Sequence, residues 1–286
     1  MSDLDSPAGW QLEQNASEAY EQYLVPPMFA PWADRLIETI GIDEGDTVLD
    51  VACGTGIVAR RAVRRVGNDG AVVGLDINEG MLAVAERAAV GLQPPVEWRQ
   101  GDATDLPFSA DRFDVVCCQQ ALQFFDDPVA VLAEIHRVLA PGGQAALGVW
   151  RPLEYHPGYV VLAEALEHHI GDEAGTMMRS PFPAWDGSDL DEFVQEAGFD
   201  ETSVTIEIGD VRYPSATEFV RREAASSPLA KPINAVEHAV QADLVQEVAD
   251  RLDDYTDDDG IVSPVTFSAL QGGACRWTPV LTTRRW

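Results

Sequence analysis

Lysine is almost missing from this chain: Lys231 is the single one among 19 basic residues, and the other 18 are arginines. Against them stand 48 Asp and Glu, so the formal net charge is −29. Such a balance argues against polyanionic partners, and neither a nucleic acid nor an anionic bilayer is expected. It suits concentrated salt, where screening to about 3 Å at 1 M removes most self-repulsion, and it predicts a halophilic setting. Long hydrophobic runs are also lacking. The longest, Ala145 to Trp150, contains Gly148 and falls far short of the roughly 20 residues of a membrane helix. Cysteine is scarce: Cys53, Cys117, Cys118 and Cys275 include an adjacent pair and no C-x-x-C or Cys/His spacing. This argues against a zinc or disulfide framework and predicts buried, reduced thiols; no metal is expected. The segment from Met1 to Ser6 is acidic and lacks a basic-then-apolar layout, so a cytoplasmic protein is expected.

What is present is enough to build a core. Hydrophobic residues make up 46% of 286, and at about 150 residues per domain the length allows one large domain or two small ones. From residue 47 short apolar runs alternate with helical patterns. Thr47 to Ala52, Ala71 to Asp76, Pro95 to Gln100, Phe113 to Cys118 and Gln144 to Val149 read as strands. Ile57 to Val66, Glu79 to Val90 and Pro128 to Leu139 read as helices between them. Continuous apolar strands joined by crossover helices predict a parallel sheet covered on both faces, an α/β doubly wound fold. Asp127 before Pro128 is a cap followed by a first helical residue, and Leu139-Ala-Pro-Gly-Gly143 stops that helix.

Three regions follow from these patterns: an N-terminal helical cap over 1–46, a cofactor-binding core over 47–150, and 151–286 with an insertion and further pocket elements of the same domain. In the first, Ser17 to Leu24 is amphipathic, Pro26 and Pro27 predict a break, and Pro31 to Ile40 resumes with Trp32, Leu36 and Ile40 at helical spacing. In the last, Arg151 to Asp186 reads as an insertion around one helix, Val160 to Ile170. Capping-box spacings at Ser188 and Ser215 open helices, and Ser203 to Val211 alternates as a strand between them. Val240 to Tyr255 is helical, Thr256 to Gly260 is a turn, and Ile261 to Leu270 is a final strand.

The chemistry centres on Val48-Leu-Asp-Val-Ala-Cys-Gly-Thr-Gly56. A hydrophobic strand runs into a turn where Gly54 and Gly56 let backbone approach a ligand, and a helix follows at once. Asp76 ends the next strand, 20 residues beyond Gly56, where a carboxylate can take both hydroxyls of a ribose. Two cofactors fit this layout, because Gly54-Thr-Gly56-Ile-Val-Ala59 also satisfies the G-x-G-x-x-A dinucleotide fingerprint. An NAD(P)-dependent oxidoreductase therefore stands as an alternative. Asp50 at the strand end weighs against it, since a carboxylate repels a pyrophosphate and favours a sulfonium or ammonium.

The arrangement D-x-A-C-G-T-G resembles the first motif of the class I S-adenosylmethionine-dependent methyltransferases, with Ala52 where many members carry a glycine. Gly101-Asp-Ala-Thr-Asp-Leu-Pro-Phe108 resembles the loop after their third strand, Phe113-Asp-Val-Val-Cys-Cys-Gln-Gln120 the fourth-strand motif, and Leu132-Ala-Glu-Ile-His-Arg-Val-Leu-Ala-Pro-Gly-Gly143 the segment leading into the fifth. The subgroup it resembles is the ubiquinone/menaquinone-biosynthesis-like small-molecule methyltransferases, over about Val48 to Trp150. The resemblance implies a Rossmann-like, mostly parallel seven-stranded sheet in the order 3-2-1-4-5-7-6, last strand antiparallel, with helical insertions. It implies S-adenosyl-L-methionine as cofactor and methyl transfer to a small, partly apolar molecule by in-line displacement, for which orientation alone supplies about 7–11 kcal/mol.

The same resemblance assigns Asp102 to the adenine amino group with Ala103 offering an amide, and Cys118 and Gln119 to the methionine part. Ile77 and Met81 are expected to flank the adenine, each with a share in the core. Gln119, Gln120 and Gln123 follow the fourth strand, where ligands gather, and Phe124 or Phe125 is a candidate pocket wall. On the leader helix Tyr20 and Tyr23 are candidates to donate to the methionine carboxylate, Tyr23 being the cofactor-binding assignment. His156, soon after the fifth strand, is the candidate catalytic proton acceptor. A nucleic-acid methyltransferase is a further alternative, but Cys-Cys-Gln-Gln stands where an N-P-P-Y tetrad would be. A cofactor-binding protein without activity is the third.

Overall fold

The computed structural model describes residues 14–199 and 201–273; the expectations for Cys275 and for residues 1–13 of the leader lie outside them. The sheet comprises β1 (Thr47–Val51), β2 (Ala71–Asp76), β3 (Glu97–Gln100), β4 (Phe113–Gln119), β5 (Leu139–Trp150), β6 (Glu201–Tyr213), β7 (Thr256–Asp257) and β8 (Gly260–Gly273). Their order is β3-β2-β1-β4-β5-β8-β6, with β7 a two-residue arm folded back on β8. The first five strands pair in parallel, and β8 runs antiparallel to both β5 and β6. With the short β7 set aside, this is the 3-2-1-4-5-7-6 order that the motifs imply.

The central strands β1, β2, β4 and β5 are apolar on both faces because both faces are covered. Leu49, Val51, Val73, Leu75, Val116, Cys118 and Leu147 pack into one layer, while Val48, Val72, Val115, Cys117 and Ala146 face the other. Alternate residues of one strand thus feed opposite cores. In-register pairs such as Leu49 with Val73 and with Val116 make each layer continuous across strands. Cys53, Cys117 and Cys118 are buried and free of disulfides.

The helices are α1 (Gln14–Ala19), α2 (Ala30–Ile40), α3 (Ile57–Val66), α4 (Glu79–Ala88), α5 (Pro128–Val138), α6 (Pro157–His169), α7 (Asp172–Arg179), α8 (Gly187–Glu196), α9 (Ala216–Ala225), α10 (Ala230–Ala235) and α11 (His238–Arg251). Pro26 and Pro27 do not break the leader as the sequence predicts. Tyr20–Phe29 is π-helical and joins α1 to α2 through both prolines, and the Ala30 amide donates to the Val25 carbonyl five residues back. A proline ring collides with the carbonyl four residues earlier and supplies no amide; the wider turn accommodates both defects. The insertion holds two helices, α6 and α7, rather than one. α8 starts before the predicted Ser188: Asp186 is its cap, its Oδ1 accepting the Ser188 amide at 2.7 Å. Asp127 and Ser215 cap α5 and α9 as predicted. No helix among the described residues is long and apolar enough to cross a membrane.

Candidate active site

A cavity of about 610 Å³ lies at the carboxyl ends of the central strands, with the π-helical segment, α6 and α9 contributing to its wall. Its base is the turn after β1. Asp50, the fourth residue of that strand, is buried, and its Oδ2 accepts the Ala59 amide of α3 at 2.9 Å. The chain then bends through Ala52, left-handed at φ 52°, and Gly54 at φ 55°. Ala52 stands in a conformation that costs an L-residue about 1–2 kcal/mol. Asp76, at the end of β2, closes the bend: Oδ2 accepts the Gly54 amide at 2.7 Å and Oδ1 the Asn78 amide at 2.8 Å. Asn78 in turn caps α4 through the amides of Gly80 and Met81.

Burial pushes the Asp50 carboxyl up to about 8, against the pull of the Ala59 amide and with help from the nearby Asp76. Burial raises Asp76 as well, opposed by the amides it accepts. Six acids, Asp50, Asp76, Asp102, Asp126, Asp127 and Glu223, line the cavity, and no Lys, Arg or His does so among the described residues. Two buried carboxylates without a cation in the wall form an environment that a positively charged ligand relieves and a pyrophosphate worsens.

The structure brings most of the sequence-derived cofactor residues to this one cavity. Asp50, Ala52, Gly54 and Asp76 line it from the turn side; Ile77, Met81 and Asp102 line it beyond β2, and Gln119 lines it from the end of β4. Phe124 and Phe125 both join the wall. Asp102 shares Oδ1 with the amide and hydroxyl of Thr104, each at 2.8 Å. The Gln119 Nε2 donates to the Phe29 carbonyl at 3.1 Å, tying β4 to the π-helical segment, while its Oε1 is buried without a partner.

Five assigned residues do not line the cavity, among them Cys118, which is buried in the core with Val116 and Leu147. A Cβ on Gly56, at φ 80°, would lie 2.3 Å from the Trp98 ring, so the missing side chain makes room for the indole. The Ala103 side chain is buried in the core with Leu106 and Phe108, while Asp102 and Thr104 on either side of its backbone line the cavity. The Tyr23 ring sits under guanidinium groups, 4.7 Å from Arg221 and 5.9 Å from Arg222; Tyr20, nearly one turn earlier, lines the cavity instead and stacks on Phe29. His156 is fully buried, its Nε2 lies 3.1 Å from the Arg151 carbonyl, and it packs against Trp150 and Phe182. Those two rings line the cavity and His156 does not. Burial lowers its pKa to about 4, so it packs as a neutral ring.

Sequence reasoning did not weigh Tyr159, Trp150, Phe182, Glu223, Ser226 or Ser227 as wall residues, yet all line the cavity. Glu223 follows Arg221 and Arg222 in the sequence. The available signal was its spacing: Phe219, Glu223, Ser226 and Ser227 lie at i, i+4, i+7 and i+8, one helix face. Gln120 is left-handed at φ 56°, and both its side-chain polar atoms are buried without a partner. Strain together with unmet hydrogen bonds marks a functional position. Away from the cavity, His168 and His169 of α6 both reach Glu247 Oε2 of α11, at 2.8 and 2.9 Å, which clips the two helices together.

A methyltransferase-domain family profile matches residues 48–143. The 2-phytyl-1,4-naphtoquinone methyltransferase of Nostoc sp. is 36% identical over 127 residues, 44% of this chain and 53% of that protein. The demethylmenaquinone methyltransferase of Staphylococcus carnosus is 32% identical over 203 residues, 68% of this chain and 81% of its own. The chain spans about half the length of several curated relatives it matches. Among solved structures, a Bacillus halodurans protein described as a methyltransferase aligns with TM-score 0.55 at 23% identity, covering 85% of this chain and 99% of that one. The Haemonchus contortus phosphoethanolamine N-methyltransferase 2, solved with S-adenosyl-L-methionine, aligns with TM-score 0.59 at 18% identity, covering 93% and 58%. The fold and the motif residues thus agree with the profile and the relatives: this chain belongs to the class I S-adenosylmethionine-dependent methyltransferases. The cofactor of that family is S-adenosylmethionine.

Proposed function

We propose that the protein methylates a small, partly apolar, quinone-like molecule with S-adenosylmethionine as donor. The observation that carries this reading is the cavity itself: two buried carboxylates at the strand ends, and a wall without a basic side chain among the described residues. Asp76 would take the ribose hydroxyls, Asp102 the adenine amino group, and Ile77 and Met81 the faces of the adenine. Asp50 and the bend through Ala52 and Gly54 would face the amino-acid end, with Gln119 Oε1 and the Tyr20 phenol beside it. Bound there, the cofactor supplies a methyl group already activated on a sulfonium. The chain's share is orientation and exclusion of water, for which the aromatic wall of Phe29, Trp150 and Phe182 is suited.

The quinone-like acceptor is supported by relatives named for naphthoquinone and menaquinone substrates and by the apolar wall. The rival oxidoreductase would place a pyrophosphate against Asp50 and Asp76 with no basic group in the described wall to offset it. A nucleic-acid acceptor would meet a chain of net charge −29. The composition supports a cytoplasmic protein working in concentrated salt. Calorimetry tests the reading: S-adenosylhomocysteine is expected to bind and NAD to give no heat, and the reverse result refutes it.

A further inference from the structure

We propose that Glu223 is a catalytic residue, the proton acceptor for the methyl acceptor, and that this acceptor is a hydroquinone-type ring whose hydroxyl points at that carboxylate. The inference rests on the methyltransferase reading above and adds the chemistry of its second substrate. Glu223, on α9, is buried and lines the cavity. The hydroxyl of Tyr159, on α6, donates to its Oε1 at 2.9 Å, and that of Tyr213, on β6, donates to the same oxygen at 2.7 Å. Two phenols from different elements therefore fix the carboxylate, while Oε2 accepts no bond from the described residues.

A carboxylate withdrawn from water is costly unless something uses it. The two phenols occupy Oε1 alone, and no basic side chain pairs with the carboxylate among the described residues, so Oε2 is left to face the cavity. One turn further along α9, the Ser226 hydroxyl is buried without a partner, as are both amide atoms of Gln120 at the end of β4. All three residues line the same cavity as Trp150 and Phe182. A flat ring bearing two oxygens matches this pattern: one hydroxyl meets Glu223, and the second oxygen meets the unpaired amide or hydroxyl. An alkylammonium acceptor has no lone pair and would leave the Gln120 Nε2 donor unmet.

The hydroxyl proton passes to Glu223 Oε2, and the electron pair this frees forms the new bond to the methyl carbon, from the oxygen itself or from the ring carbon beside it. In the latter case, the ring carbon's own hydrogen is subsequently lost as a proton. The carbon–sulfur bond of the sulfonium donor breaks with its electrons staying on sulfur, and the carboxylic acid later returns its proton to water. Burial raises Glu223 to about 7, with both phenols pulling it back, which suits a base near neutrality. Burial raises Tyr159 and Tyr213 far above their ordinary range, so both stay neutral. Arg222, next along α9, is held by Glu218 at 2.9 Å.

Calorimetry on the full chain saturated with S-adenosylhomocysteine, titrated with 1-naphthol, tests the proposal without turnover. Affinity is expected to rise about tenfold from about pH 6 to about pH 8 as the carboxylate forms and accepts the naphthol hydroxyl, since bonds to charged groups are worth about 1.5–3 kcal/mol. Glu223→Gln keeps an oxygen for both tyrosines; it is expected to bind S-adenosylhomocysteine as before and to lose this pH dependence. Tyr213→Phe removes a bond that favours the charged form, so it is expected to move the midpoint upward, which a merely structural tyrosine would not do. An unchanged pH profile in both variants overturns the proposal, as does transfer of the Glu223-dependent gain to 2-phenylethylamine. Failure of the unmodified protein to bind S-adenosylhomocysteine would instead overturn the methyltransferase reading.

Discussion

Asp76 holds the amide of Gly54 at 2.7 Å, 22 residues back along the chain, and so pins the bend after β1 to the end of β2. The carboxylate that is proposed to take the ribose thus also shapes the turn beside it. Asp76→Ala loses both amide bonds and the ribose acceptor together, and S-adenosylhomocysteine affinity is expected to fall about 10–100-fold, the worth of bonds to a charged group. Asp76→Asn keeps one acceptor oxygen and is expected to fall between. Calorimetry of the three proteins checks the order; equal affinities remove Asp76 from the site.

Asp50 gives the site a pH dependence whose sign is fixed by its burial. Its carboxyl binds a proton more tightly folded than unfolded, up to about 8 from an ordinary 3.8. Its contribution to stability is therefore full below the ordinary value and is lost as pH rises through about 8. Thermal melts of the ligand-free protein are expected to fall across that window, and less steeply in Asp50→Asn. The cationic S-adenosylmethionine favours the ionised form, so its affinity is expected to rise over the same window more than that of the uncharged-sulfur S-adenosylhomocysteine. Parallel profiles for the two ligands would show that Asp50 does not face the sulfonium.

Gly56 and Trp98 are expected to behave as a coupled pair. An added methyl would meet the indole at 2.3 Å in a left-handed conformation, so Gly56→Ala is expected to cost about 2–4 kcal/mol from overpacking and backbone strain together. In the Trp98→Ala background the steric part disappears, leaving the backbone part of about 1–2 kcal/mol. Urea unfolding of the four proteins measures the coupling. Additive costs would mean that the close approach of the ring is not what demands a glycine here.

The central sheet was legible because its strands are apolar on both faces and end in a distinctive bend, so a short window of residues carries both fold and cofactor position. Asp50, Asp76 and Asp102 are positioned by β1, β2 and the loop after β3 and needed only local reading. Tyr20 and Tyr23 were not separable that way, because the π-helical widening at Pro26 and Pro27 alters which residues face inward. The surroundings of Gly56 and His156 were hidden for one reason: both positions pack against aromatic rings distant in sequence or set by the fold, Trp98 for the first and Trp150 with Phe182 for the second. Glu223 was hidden by its neighbours Arg221 and Arg222, whose exposure says nothing about the opposite face of α9.

Net charge sets the last expectation. The 48 acids exceed the 19 bases by 29, so even complete pairing would leave that many carboxylates repelling one another. Pairs such as Arg35 with Glu207 and Arg87 with Glu18 lie at the surface, where salt screens attraction as it screens repulsion and each pair contributes little. The unpaired excess decides the sign. Raising KCl from about 0.1 M to about 2 M shortens the screening length from about 10 Å to below about 3 Å, and Tm is expected to rise by several degrees in consequence. Potassium chloride is the salt to use, because a salting-out anion would strengthen apolar burial as well and confound the comparison. A Tm that stays flat or falls over this range would show that the surface acids are already accommodated at low salt, and the halophilic setting would then lose its physical basis.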